Sequence, residues 1–173
     1  MDRHLYEYAY LHRRFDHVCR LLEAHADRVL EPATERAAHE AGQIVAHLEF
    51  EVGGFSVERP AIIHIEEFAH DEHVARLSFH WEAAESNSLF PTMHADLELY
   101  ALTWTPKPLT QLAFVGRYRP PLAFLGAAAD AVLGRRIAES VVHHFVKDTA
   151  LRIEHELSAG GIGKYLVAER AAQ

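Results

Sequence analysis

Histidine is the first chemistry-bearing side chain to test, because the chain carries 14 of them. A metal site needs imidazoles and carboxylates brought to one face at ligand spacing. His143 and His144 are adjacent, so on a helix they diverge by about 100° and do not easily share an ion. His64, His80 and His94 fall on stretches that read as strands, with His64 and His80 directed to the wet side. No His-x-His or His-x-x-x-His pair joins a carboxylate in an interior position. The expectation is therefore surface histidines, with no metal and no cofactor.

Other familiar chemistries are missing by motif. Gly53-Gly54 and the "GGIG" at 160–163 lack the strand–turn–helix context and the Lys-Ser/Thr ending of a phosphate loop. No Gly-x-Ser-x-Gly elbow exists, and Cys19 has no evident base, so a nucleophilic mechanism has no starting point. Three polar side chains remain that the patterning below turns inward: Glu67, Tyr118 and His144. Each could orient a ligand or move a proton. Each also has a plainer reading, and for Tyr118 it is a core tyrosine with a satisfied hydroxyl. Asp148 and Arg152 lie beside the same helix stripe and are read as an exposed i,i+4 pair.

The elements that would position these groups follow from periodicity. Residues 4–11 read as a tyrosine-rich strand, and 14–30 carry apolar residues at helical spacing until Pro32. Residues 31–42 read as a short helix or a loop. Ile44, Ala46, Leu48, Phe50 and Val52 alternate with polar residues, predicting a strand that stops at Gly53-Gly54. Stretches 61–68 and 74–82 form a hairpin around "AHDEH". Pairing Ile63 with Phe79, Ile65 with Leu77 and Ala61 with Trp81 leaves Glu66 against Arg76 on the other face. A second hairpin joins 94–104 to 109–118 across "TPKP", with Leu99 opposite Phe114, Leu97 opposite Gly116, Ala101 opposite Leu112 and Asp96 opposite Arg117. Each register separates a greasy face from a charged one, as an antiparallel sheet with one wet face requires.

Pro120-Pro121 then suit the first turn of a helix, predicted over about 121–156. Gly134, Ile137, Ala138, Val141 and Phe145 share one stripe of it. Gly134 costs roughly 1 kcal/mol against Ala inside a helix, the mark of close packing, a local break, or a kink over a pocket. Only this helix is large enough to cover the apolar side of the sheet. The candidate ligand-contacting residues are thus Phe79, Trp81, Leu97, Leu99, Phe114 and Tyr118 from strands, with Ile137, Val141, His144 and Phe145 from the helix. The apolar ones are core first and ligand contacts second.

Composition bounds the rest. A chain of 173 residues with 49% hydrophobic and 24% charged residues is one ordinary globular domain, here 1–157, followed by a flexible or loosely docked tail at 158–173. A formal charge of −8 argues against a nucleic-acid surface. No stretch approaches 18 uninterrupted apolar residues, and the opening "MDRHLYEYAY" is no signal peptide. The single cysteine, Cys19, has no partner in the chain and fits a reducing, cytoplasmic setting as a small buried hydrophobe.

The run "GRYRPPLAFLGAAADAVLGRRIAESVVHHFVKDTALRIE" resembles the last strand and lid helix of the START-like, helix-grip superfamily, which includes polyketide cyclases and lipid-transfer domains. The likeness covers about residues 3–156. It implies an α+β fold, a curved six- to seven-stranded antiparallel sheet wrapped on a long C-terminal helix, with a mostly apolar cavity between them. The function expected is non-enzymatic binding of a lipid, polyketide or aromatic metabolite. The alternative is a polyketide aromatase/cyclase using His144, Tyr118 or Glu67, and a third reading is a structural or protein-interaction module.

Overall fold

Alternating hairpins at 61–83 and 92–119 become four strands, and the first strand closes the set. The structure is a computed structural model that describes residues 3–52, 61–83, 92–102, 106–119 and 128–158. The elements in chain order are β1 (Arg3–Leu11), α1 (Phe15–Val52), β2 (Ala61–His70), β3 (Val74–Ala83), β4 (Thr92–Ala101), β5 (Thr110–Arg119) and α2 (Ala128–Ser158). The strands form one antiparallel sheet in the order β1-β5-β4-β3-β2, so the first strand lies beside the last. This is an α+β, helix-grip arrangement with five strands among the described residues, not six or seven. The Gly53-Gly54 turn, the Pro120-Pro121 corner and the C-terminal tail lie outside those residues.

The strand expected at 44–52 is the end of α1. Ile44, Val45, Leu48 and Val52 fit helical spacing as well as alternation fits a strand, and a short apolar run cannot separate the two. Nor does Pro32 end the helix. A proline inside a helix costs about 3 kcal/mol, yet the buried stripe Val29, Leu30, Ala33 and Ala37 runs straight past it. Packing of that stripe outweighs the penalty. The backbone leaves helical geometry instead at His25, where φ is −150° and ψ is 42°.

The second hairpin keeps its expected faces and slides by two residues, and the first does the same only as far as the bulge at Glu66, beyond which its faces invert. Ile63 pairs with Trp81 and Ile65 with Phe79, then a bulge at Glu66 shifts the ladder so that Glu67 faces Ser78 and Phe68 faces Leu77. Leu97 pairs with Phe114, Leu99 with Leu112 and Ala95 with Gly116. A two-residue slip leaves every side chain on its original face, whereas a one-residue slip would invert them all. Asp71 fixes the first turn, accepting bonds from the backbone N–H groups of His73 and Val74, both at 2.8 Å.

The apolar face of the sheet is covered from two sides. α2 packs over β1 and β5, α1 packs over β2, and the two helices pack against each other. The buried arc of α2 is consequently wider than the single stripe the spacing indicates: Val142, Val146, Ala150, Ile153 and Leu157 join Ile137, Val141 and Phe145. A polar clamp fixes the far end. Arg13, at the β1–α1 corner, pairs with Glu154 of α2 at 2.9 Å, and Glu154 also accepts the backbone N–H of His12. The buried Thr110 hydroxyl of β5 donates to the Arg13 carbonyl at 2.9 Å. No helix among the described residues is long and apolar enough to cross a membrane.

Candidate functional site

Cross-strand rows build the inner face. Trp81, Met93 and Tyr118 form one row across β3, β4 and β5, and Phe79, Ala95, Gly116 and Leu5 form the next. Two small residues side by side lower the floor of the second row, and the ring of Phe114 folds into that space. A Cβ at Gly116 would collide with Phe114 Cε1 and stand 3.2 Å from the Ala95 Cβ. The absence of a side chain there is what admits the ring.

Phe145 of α2 descends onto this floor. Its ring centroid lies 4.9 Å from that of Trp81, at 72° between planes, and 5.5 Å from that of Phe79. Phe114 completes the cluster at 5.8 Å from Trp81 and 6.1 Å from Phe145. Offset and edge-on aromatic pairs of this kind each add about 0.5–1.5 kcal/mol beyond area burial. Leu97, Leu99, Ile137 and Val141 are buried in the same hydrophobic core.

Among the described residues, two hydroxyls in this interior lack hydrogen-bond partners. Tyr118 is 1% exposed, and its Oη makes no hydrogen bond; Thr149 of α2 is fully buried, and its Oγ1 makes none either. A helical threonine ordinarily bonds back to the carbonyl four residues earlier, as Thr34 does to Leu30 at 2.8 Å. Tyr118 and Thr149 break the strong tendency of buried polar atoms to be paired.

The other polar candidates lie elsewhere. Glu67 is exposed, because the bulge at Glu66 re-phases β2 and sets Glu67 against Ser78 on the wet face. His144 is half-buried at the edge of the α2 arc, its ring edge-on to His143 at 5.5 Å. Asp148 and Arg152 form the i,i+4 pair at 3.7 Å, but half-buried and not exposed as expected. Cys19 is buried, and desolvation, reinforced by Asp16 and Glu23, pushes its thiol up to about 12.

Chain spacing concealed a second cluster on the opposite, wet face. His64, His80, His94, Arg117 and His4 lie in one row that crosses all five strands in register. The rings of His64 and His80 stack at 4.6 Å and 19°, and those of His80 and His94 stand 5.3 Å apart. Glu66, the bulge residue, reaches His80 Nδ1 at 2.7 Å. Beside the row lies a pocket of about 340 Å³ lined by His4, Glu66, Ser78, His94, Asp96 and Arg117, among others.

No family model matches the chain, and no curated protein matches it in sequence. Solved structures similar to it include the ZhuI aromatase/cyclase of a Streptomyces species, at 14% identity and a TM-score of 0.39 over 93% of this chain and 99% of that one. A protein of Thermus thermophilus matches at 11% identity and a TM-score of 0.41, covering 91% of this chain and 99% of that one. A hypothetical protein of Helicobacter pylori matches at 9% identity and a TM-score of 0.39, over 85% and 88% of the two chains.

Proposed function

We propose that this protein binds a hydrophobic small molecule, of the lipid, polyketide or aromatic-metabolite class, between the sheet and α2. The observation that carries the reading is the buried Tyr118 hydroxyl, which has no hydrogen-bond partner among the described residues. Leaving such a group unpaired costs about 1–3 kcal/mol. A ligand carbonyl, carboxylate or hydroxyl would recover that loss, while its apolar body meets the ring wall of Trp81, Phe114 and Phe145. Ligand pockets of this kind are mostly apolar with one or two placed polar groups. His144, at the edge of the buried arc, serves the rim.

Binding without turnover is better supported than an aromatase/cyclase activity. Proton transfer in such a reaction needs placed acid–base groups, and of Tyr118, Glu67 and His144 only Tyr118 is buried. The test is a titration with 1-anilinonaphthalene-8-sulfonate, reading energy transfer from Trp81 in a variant whose other tryptophan, Trp104, is replaced by Phe. One probe per chain, displaced by a long-chain fatty acid or a polycyclic aromatic, supports the reading. Absence of saturable binding, or a probe that neither ligand displaces, sinks it.

A further inference from the structure

We infer that Glu66, His80 and His94 bind a divalent transition-metal ion, zinc being the type case, on the wet face of the sheet. One oxygen or nitrogen from each of the three lies within 4.8 Å of the other two. The backbone, not flexible side-chain reach, brings them together. His80 and His94 are direct cross-strand partners on β3 and β4, and Glu66 is the extra residue of the β2 bulge. Bulges re-aim a side chain in this manner.

The donor set selects the ion. Two imidazole nitrogens and one carboxylate oxygen suit zinc, cobalt, nickel or copper, and do not suit calcium or magnesium, which take oxygen ligands. Tetrahedral ligands 2.0–2.1 Å from zinc stand about 3.3 Å apart. The Glu66–His80 contact at 2.7 Å opens slightly, and the widest pair closes from at most 4.8 Å, changes within side-chain rotation. An ion would replace the hydrogen bond between Glu66 and His80.

Neighbouring groups support the ligands. His64 stacks on His80 and lies 3.7 Å from Glu82, holding the His80 ring in plane. Such outer contacts orient metal ligands and matter for affinity. Three protein ligands leave further coordination positions open, and the adjoining pocket supplies room for water there. This site lies on the opposite face of the sheet from the ring cluster and does not depend on the hydrophobic-ligand reading.

The experiment is calorimetric titration of the untagged full chain with zinc chloride, alone and in variants. His94→Ala and Glu66→Gln are expected to weaken binding by about tenfold or more, the scale on which metal-site contacts act. His12→Ala and His155→Ala, exposed histidines outside the cluster, are the controls and bind as the wild type does. Circular dichroism checks the fold of each variant. Should His94→Ala not fold, Glu66→Gln, at an exposed bulge, carries the comparison. One zinc per chain with selective loss in the cluster variants is the expected result. No binding by the wild type, a smaller loss in the folded cluster variants, or an equal loss in the controls overturns the assignment.

Discussion

Tyr118→Phe separates a ligand-binding hydroxyl from an ordinary core tyrosine, because the two predict changes of opposite sign. The substitution removes one oxygen and leaves the ring against Met93 and its neighbours in the inner face. In the free protein that oxygen is buried and has no hydrogen-bond partner among the described residues. Its removal relieves a penalty of about 1–3 kcal/mol. For a chain of this length each kcal/mol moves the thermal midpoint by roughly 2–4 °C, so the free variant melts several degrees higher than the wild type. With ligand the sign reverses. The wild type recovers that penalty on binding and the variant does not, so binding weakens by about 1–3 kcal/mol, or roughly five- to 150-fold. Differential scanning calorimetry of the free forms and probe titration of both forms provide the two readings. A variant that melts lower, or that binds the same ligands with unchanged affinity, refutes the reasoning.

Three further outcomes follow from the same geometry. Gly116→Ala drives a methyl into the Phe114 ring and should destabilise the fold by about 1–3 kcal/mol, read as a lower urea midpoint; an unchanged midpoint means the ring moves freely. Bonds from the backbone N–H groups of His73 and Val74 hold the Asp71 carboxyl below its usual range, so its charge stabilises the fold above the unfolded value near 3.9 and stops doing so as pH falls through the folded value. The stability gap between wild type and Asp71→Asn should therefore be flat from neutral pH to about 5 and shrink below about 4, and a gap that widens on acidification contradicts this. Cys19, pushed up to about 12 chiefly by burial, should react with a thiol reagent at pH 8 on the order of a thousandfold more slowly in the native protein than in urea, and prompt native labelling would show the helix opening.

Faces were legible in the sequence and registers were not, for one physical reason. Alternation reports which side of the sheet a residue takes, and a slip of two residues keeps that side. Ile63 therefore faces inward whether it opposes Phe79 or Trp81. The bulge at Glu66 leaves no alternation signal of its own, so Glu67 was expected inside and lies outside. The stretch 44–52 satisfies both periods, and continuation of α1 decides it. Of the inner residues, Phe79, Trp81, Phe114, Tyr118 and Phe145 were readable as core, but the missing partner of Tyr118 belongs to three-dimensional packing. The Glu66–His80–His94 group was hidden because its members meet across three strands, at separations no local motif spans. The full width of the α2 arc depended on α1 lying against it, which no helical wheel contains.

Native mass spectrometry of the full chain, purified untagged without denaturation and then offered a mixture of fatty acids and polycyclic aromatics, tests hydrophobic-ligand binding most directly. The expected result is a one-to-one adduct with a preferred ligand, with a smaller adduct fraction in Tyr118→Phe at the same concentration. Unliganded mass at every ligand concentration, from a protein whose circular dichroism shows it folded, would contradict the account.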